Sequence, residues 1–362
     1  MKKHLHKLIL FSATACLSAC TAQEPLTDYV DPRIGTAHSR WFFFTPAAVP
    51  FGMAKLAPTT DGHLGNPNGW EAVGYDSRHT SIEGFANFHE FQVGGVVVAP
   101  TVGELQTVPG PLDNPDAGYR SRFDKKDEVA RPGYYSVLLK DYGVKAELTA
   151  TERVGFHRYT FPATEEANLI FNIGTRMGES GPVRDASVTY TDDGRIEGWV
   201  VTEPAYVDIY QKGATVTMYF SAVLDAEPAA WGAFSGEQTF AGERSRTGVG
   251  AGLYLRFDTR ERQQVGLKIG LSYTSVENAR LNLEKEAARK DFDRVRREAN
   301  DTWEEALGRL RVEGGLHDDR VKFYTGLFHA LLGRGLASDV NGAYPANDGT
   351  VGQIALDGAG KP

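Results

Sequence analysis

Short segments with alternating apolar and polar residues run along the chain to about Thr274, and clusters of Gly, Pro, Asn and Asp separate them. Alternation with a period of two is typical of strands that bury one face. No long helical pattern lies between these segments, so parallel crossover connections are not expected. The pattern predicts a mainly β fold built on a large antiparallel β-sandwich, with strands at 95–99, 134–139, 144–149, 155–161, 169–173, 215–222 and 265–271.

A helical pattern begins at Val276, where the apolar period changes from two to about 3.6 residues. Apolar residues within 292–310 fall on one stripe, and acidic and basic residues lie opposite it. A second apolar stripe follows within 321–332. No later segment of the chain supplies a helix that would cover this second stripe. We therefore expect the second helix to face water and the chain to be cut short.

The first twenty residues have the features of a secretory signal. A basic start precedes the apolar run Leu8–Phe11, which is too short to span a membrane. Leu17–Cys20 resembles a bacterial lipobox, in which Cys20 becomes the acylated first residue of the mature protein. A plain signal peptide with an incidental cysteine is the alternative. Acylation at Cys20 predicts a membrane-anchored lipoprotein of the periplasm or the cell surface.

Composition and charge exclude several classes of protein. The formal net charge is −8, and a negative chain repels phosphate backbones, so no nucleic-acid partner is expected. Both cysteines, Cys16 and Cys20, lie in the signal region. The folded body therefore has no disulfide, no zinc–cysteine module and no cysteine nucleophile. No pair of histidines four residues apart indicates a transition metal, and no metal ligand is assigned.

A series of short motifs follows in order along the chain. Together these motifs resemble glycoside hydrolase family 92, the secreted calcium-dependent α-mannosidases of glycan-degrading bacteria. Any one motif alone is a weak signal, but an ordered series from residue 29 to residue 344 is specific. The matching segments are Tyr29–Thr36, Pro46–Pro58, Gly69–Trp70, Ile82–Phe85, Gly133–Val137, Ala146–Tyr159, Phe323–Thr325 and Ser338–Tyr344.

The resemblance implies an N-terminal β-sandwich, a helical linker and a C-terminal (α/α) toroid, with the active site between sandwich and toroid. Family members are much longer than this chain, so their general acid, general base and most calcium ligands are implied to lie in a missing C-terminal part. No catalytic residue is then expected here, and the chain alone is expected to be inactive. The expected segments are a lipoprotein signal peptide at 1–19, a tether at 20–28, the sandwich at 29–274, the linker at 275–313 and the start of a truncated toroid at 314–362.

Four residues are candidates for sugar binding. Trp70 lies in a loop rich in Gly, Pro and Asn, where an indole can stack on a pyranose ring, and it fits the family's sugar-contacting tryptophan. Asp339 fits a family motif and can accept hydrogen bonds from two hydroxyls of one mannose. His89 and Glu90 are placed to line the pocket. The alternatives are a core tryptophan, a turn-forming aspartate, a hydrogen-bonded loop histidine and a solvated glutamate.

Two segments depart from the family pattern, at 37–44 and 88–95, which leaves both the linkage that is cleaved and the identity of the sugar open. The resemblance implies the N-terminal portion of an exo-acting, inverting α-mannosidase. Its partners would be mannose-containing glycans and its cofactor calcium. The alternative is a non-catalytic carbohydrate-binding surface lipoprotein that uses the sandwich alone.

Overall fold

A computed structural model describes residues 24–37, 43–60, 74–90, 93–175, 180–333 and 335–362. Within these ranges, two antiparallel sheets face each other and enclose one apolar core. Helices follow the last strand of the sandwich. The predicted fold class, a mainly β antiparallel sandwich followed by helices, is confirmed.

Twenty strands occur in the described residues. The first sheet contains seven of them in the order β1-β3-β4-β10-β17-β14-β15, and the second contains nine in the order β16-β11-β12-β13-β18-β9-β8-β7-β6. Two small sheets pair β2 with β5 and β19 with β20. In chain order the strands are Ala57–Thr59 (β1), Ser81–Ile82 (β2), Gly84–Glu90 (β3), Val93–Val102 (β4), Ser121–Arg122 (β5), Val129–Arg131 (β6), Tyr134–Leu139 (β7), Val144–Ala150 (β8), Val154–Thr160 (β9), Ala167–Asn172 (β10), Val183–Tyr190 (β11), Arg195–Thr202 (β12), Val216–Leu224 (β13), Ala230–Ser235 (β14), Gln238–Ala241 (β15), Ser245–Thr247 (β16), Ala251–Phe257 (β17), Gln264–Ser272 (β18), Ala343–Pro345 (β19) and Val351–Gln353 (β20).

The described helices are Ala205–Tyr210 (α1), Val276–Ala287 (α2), Phe292–Leu307 (α3) and His317–Leu332 (α4). Ser275 begins α2 by accepting a hydrogen bond from an amide of the first turn, and Asp291 does the same for α3. Helix α2 lies against β18 at Gly270, where a Cβ would clash with the carbonyl of Ala279. None of the helices in these ranges is long and apolar enough to cross a membrane.

A buried polar chain crosses the core between the two sheets. The amide of Asn87 on β3 donates to the carbonyl of Val96, which leaves its Oδ1 to accept from His157 Nε2 on β9 at 2.8 Å. The other ring nitrogen of His157 lies 2.7 Å from the hydroxyl of Tyr159 and therefore accepts a hydrogen bond from that hydroxyl. Burial lowers the pKa of His157 to about 3, so the imidazole is neutral at physiological pH.

The apolar stripe of α4 is covered, and the expectation that this helix faces water is wrong. Tyr324, Phe328 and Leu332 are buried against Trp303 of α3 and against residues 26–30. The covering residues come from the start of the described chain, so a search of the sequence after α4 does not find them. The preceding stripe also ends earlier than expected, because α3 stops at Leu307.

The carboxylate of Glu304 holds the N-terminal segment on the helices. Its Oε2 accepts from the amide of Leu26 at 3.0 Å, and its Oε1 accepts from the amide and the hydroxyl of Thr27 at 2.7 and 2.6 Å. These bonds satisfy the free amides at the start of the 3-10 helix Leu26–Tyr29. Tyr29 then stacks on Tyr324 of α4, with ring centroids 5.8 Å apart.

We predict that Glu304→Gln lowers the free energy of unfolding by about 1–2 kcal/mol, because charge-assisted hydrogen bonds to two backbone amides are lost or weakened. Chemical denaturation measures this change. Glu305→Gln is the matched control, since the side chain of Glu305 is 81% exposed and its substitution should change stability by less than about 0.5 kcal/mol. Equal effects of the two substitutions would contradict the role given to Glu304.

We also predict that the sandwich loses stability as the pH falls below about 6.5. The unfolded chain protonates His157 near its usual pKa of 6.5, whereas the folded chain resists protonation down to about pH 3. The contribution of His157 is therefore present above its unfolded pKa and declines as the pH falls through 6.5, by about 2 kcal/mol at pH 5. His89 and His329, whose pKa values burial also lowers, add to the decline of the whole chain. Unfolding free energies measured from pH 7.5 to pH 5 check this.

His157→Gln should flatten that pH profile by about 2 kcal/mol, since glutamine does not titrate. Tyr159→Phe is the control: it removes a hydrogen bond but keeps the titrating ring, so stability should fall at every pH with the slope retained. An unchanged slope in His157→Gln would refute the assignment.

Candidate functional site

Two histidine rings contact two consecutive phenylalanines where the sandwich meets α4. His89 on β3 is fully buried, and its ring lies on Phe44 with centroids 4.7 Å apart and planes 25° apart. The neighbouring Phe43 contacts His329 of α4 at 4.5 Å. The pair of phenylalanines thus joins the end of β3 to the helix and forms the centre of the candidate site.

The ring nitrogens of His89 are buried without a hydrogen-bond partner in the part of the chain that the structure describes. Neither nitrogen forms a hydrogen bond of normal geometry within the described residues, although the carbonyl of Pro58 lies near the ring. Burial lowers the pKa of His89 to about 3, so the ring is neutral and presents one N–H donor and one acceptor. A buried polar group without a partner costs free energy and points to a further contact.

His329 has the same character on the opposite side of the phenylalanine pair. Its Nε2 is buried and forms no hydrogen bond with the described residues. Burial lowers the pKa of His329 to about 4. The site therefore presents two neutral imidazoles, which suit hydrogen bonding to hydroxyl groups.

Lys55 fixes the neighbouring backbone. Its side chain is almost completely buried, and the ammonium donates to the carbonyl of Gly333 at 3.3 Å, directly after α4. Its own amide donates to Asn87 O at 3.1 Å, and its carbonyl accepts from the amide of His89 at 3.2 Å. Lys55 therefore connects the strand that carries His89 with the end of the helix.

Asp339 lies in the loop after α4 and is fully buried. Its carboxylate accepts from Ser272 Oγ at 3.0 Å, from Asn282 Nδ2 at 2.7 Å and from the hydroxyl of Thr274. These partners belong to the end of β18, to α2 and to the segment between them. Asp339 thus joins three elements, and its sugar-binding role stays a prediction.

The structure brings His89 and Asp339 to the same end of the sandwich without direct contact. Phe88, next to His89, packs on Tyr273 with ring centroids 5.1 Å apart. Tyr273 directly follows Ser272, which donates to Asp339. The Phe88–Tyr273 contact therefore links the strand that carries His89 to the segment that binds Asp339.

The other predicted positions are less informative. Trp70 and Cys20 lie outside the described residues. Glu90 ends β3, where its backbone pairs with Val93. The roles predicted for these three residues stay predictions.

Sequence reasoning missed Lys55 and His329 as members of this site. Lys55 is a charged residue inside the apolar motif Pro46–Pro58, which is a usable signal for a buried cation with a structural partner. His329 lies within the apolar stripe of α4, where only its contact with Phe43 shows its place. That contact joins distant parts of the chain.

Several buried carboxylates of the sandwich and α2 are paired with arginines, whereas Glu128 accepts hydrogen bonds from Tyr75 and Tyr135. Glu83 pairs with Arg120, and Glu286 pairs with Arg153. The pKa of Glu147 is lowered: burial raises it, but hydrogen bonds from Arg158 and Tyr134 outweigh the burial. A general acid must be protonated at working pH, so Glu147 does not suit that role. In the described ranges, no group of three or more His, Cys, Asp or Glu could hold a metal ion.

Comparisons with known proteins give one consistent family. Residues 29–272 match the model of the glycosyl hydrolase family 92 N-terminal domain, and residues 278–357 match that of the family's catalytic domain. A protein of Arthroderma benhamiae described as an uncharacterized secreted glycosidase is 26% identical over 334 residues, which are 84% of this chain and 41% of that protein.

Solved structures agree with the family models. A family GH92 α-mannosidase from Bacteroides thetaiotaomicron is 27% identical with a TM-score of 0.83, over 92% of this chain and 44% of that one. Its complex with mannoimidazole matches with a TM-score of 0.82 at 27% identity, over 92% of this chain and 43% of that one. This chain thus spans less than half the length of these relatives. The resemblance read from the sequence is confirmed, and the chain belongs to glycosyl hydrolase family 92.

Proposed function

We propose that this chain is the N-terminal part of an exo-acting α-mannosidase that hydrolyses α-mannosidic linkages in glycans with inversion. The observation that carries the proposal is the match of 92% of this chain to an α-mannosidase at 27% identity. The complex of that relative with mannoimidazole supports a mannose-like ligand for the present site. The two neutral histidines between sandwich and α4 are the described groups best suited to sugar hydroxyls.

Inversion requires one carboxylic acid to protonate the leaving oxygen and a second carboxylate, roughly 6.5–9.5 Å away, to activate water. Glu83, Glu147 and Glu286 are held by arginines and are poor candidates for either role. We therefore assign the acid and the base to the part of the protein beyond this chain. The chain itself binds and orients the terminal sugar.

Calcium enters the proposal in the same way. Calcium takes six to eight oxygen ligands, and the described residues contain no group of three or more His, Cys, Asp or Glu that could hold a metal ion. The carboxylate of Asp339 already accepts three hydrogen bonds from protein side chains. We therefore assign the calcium ligands to the C-terminal part of the protein and derive no step through the metal.

Each site residue has a distinct proposed role. His89 exchanges hydrogen bonds with sugar hydroxyls, and Glu90 lines the same pocket. Trp70 supplies a stacking surface for the pyranose. Asp339 is proposed to accept sugar hydroxyls when its loop meets the rest of the active site, and in the described arrangement it also positions that loop. A non-catalytic carbohydrate-binding lipoprotein remains the alternative function.

A full-length protein that contains this chain should release mannose from α-mannosides. Proton NMR should show the β-anomer first, because inversion at an α-linkage forms β-mannose. Chelation of calcium should abolish this release, whereas residues 1–362 alone should release none. Release of the α-anomer first would contradict inversion, and mannose release by the chain alone would contradict the placement of the carboxylates.

In the full-length protein, Trp70→Ala and His89→Phe should each lower kcat/KM about tenfold or more. A tenfold loss corresponds to about 1.4 kcal/mol, which is the loss expected for one contact between uncharged groups. Trp199→Ala is the matched tryptophan control, since β12 belongs to the second sheet whereas His89 lies on β3 of the first. Mannoside binding without any hydrolysis in the wild type would favour the non-catalytic alternative.

We also propose that the protein is a lipoprotein anchored through Cys20 at the periplasmic face or the cell surface. Cys20→Ser should move the protein from the membrane fraction to the soluble fraction, because the acyl chains no longer partition into lipid. Cys16→Ser is the matched control and should leave the protein with the membranes. Equal membrane retention of Cys20→Ser and wild type would refute the anchor.

A further inference from the structure

A groove lined by arginines lies beside the N-terminal segment. It has a volume of about 580 Å³ and separates the turn after β6 from the outer face of α3. Arg131 contributes from β6, and Arg296 and Arg297 contribute from α3. The ring of Tyr134 and the amide of Asn300 complete the lining. Guanidinium groups in this arrangement are suited to an oxyanion.

Local packing fixes the positions of the residues that line the groove. Gly133 follows Arg131 closely and has a φ of +75°, and a Cβ there would lie 2.8 Å from the Cβ of Ala299 on α3. This close approach brings Arg131 to the helix. Tyr134 is fixed because its hydroxyl donates to Glu147 at 2.7 Å. The guanidinium of Arg296 lies 3.7 Å from the centre of the Tyr134 ring, which limits its motion.

Two of the charged residues that line the groove already form ion pairs with residues outside its lining. Arg131 pairs with Asp28 at 2.9 Å, and Asp293 is paired with Arg158. Arg296 and Arg297 are exposed and form no ion pair with any described residue, while Asp301 is the remaining acid of the lining. The two arginines therefore offer donors for bidentate hydrogen bonds to a phosphate group.

The pair between Asp28 and Arg131 places the N-terminal segment at the rim of this groove. Cys20 precedes Asp28 by eight residues, and eight extended residues span at most about 28 Å. If Cys20 carries the acyl chains, the groove lies within that distance of the lipid headgroups. Basic residues next to a lipid anchor supply a second membrane-binding signal.

We propose that the groove binds the phosphate of anionic lipid headgroups on the membrane that holds the protein. This proposal rests on the proposed anchoring at Cys20 and does not depend on the mannosidase activity. The site acts through local charge, because the whole chain carries a formal net charge of −8 and is repelled by an anionic surface. The phosphate then fixes which face of the protein is turned toward the membrane.

The test uses the full chain with Cys20→Ser, so that no acyl chain contributes to binding. Sedimentation with vesicles should show binding to phosphatidylglycerol and not to phosphatidylcholine, with affinity falling as salt rises. Arg296→Gln together with Arg297→Gln should lower the partition coefficient about thirtyfold, which corresponds to about 1 kcal/mol for each basic residue. Arg289→Gln with Arg309→Gln removes the same charge outside the groove and should leave binding within about threefold of the parent.

Equal loss in the two double variants, or equal binding to both kinds of vesicle, would overturn the proposal. Binding of inorganic phosphate without any vesicle binding would show a site for free phosphate and would also overturn the lipid assignment. The Cys20→Ser fractionation tests the anchor separately, and mannose release tests the enzyme separately. A failure of the lipid-binding proposal can thereby be distinguished from a failure of the proposed function.

Discussion

The buried indole of Trp303 is the contact on which the junction between sandwich and helices depends. It is fully buried, and its Nε1 donates to the carbonyl of Ala48 at 2.7 Å. Its ring also packs on Phe328 of α4, with centroids 4.5 Å apart. One side chain of α3 therefore holds both the segment that leads to Phe43 and Phe44 and the helix that carries His329. The aromatic site exists only while these elements stay together.

Polar groups define the same junction more precisely than apolar packing does. Arg153 follows β8 and donates to the carbonyl of Ser338 at 2.7 Å, while the adjacent Asp339 binds the end of β18. Glu286 of α2 accepts from Arg153 at 2.9 Å. Buried hydrogen bonds are satisfied only in one arrangement, so they specify the relative placement of sheet, helix and loop.

The strands of the sandwich were predictable because alternation is a local property. In β18, for example, Val265, Leu267 and Ile269 are buried and alternate with the more exposed Gly266 and Lys268. The cover of α4 was not predictable in this way, because the covering segment lies nearly 300 residues earlier, as the 294-residue separation between Asp31 and its partner Thr325 illustrates. Periodicity identifies an apolar face but does not identify its partner.

The candidate site likewise combines residues that a local sequence pattern identifies with contacts that depend on long-range packing. His89 was identified because it lies in a segment that departs from the family motif, whereas its stacking on Phe44 is a long-range contact. The family resemblance supplied the expected place of the site between sandwich and helices. The burial of Asp339 and the neutral state of the two imidazoles depend on packing, which no short motif encodes.

The bond between Thr27 and Glu304 also has a consequence for the order of events during synthesis. Its partners are 277 residues apart. At roughly 5–20 residues per second, Thr27 emerges about 14–55 s before Glu304 is made. The sandwich strands are complete before α3 exists, so the N-terminal segment is left unattached throughout that interval. Attachment of the segment is therefore a late step of maturation, and it occurs only after the helices have formed.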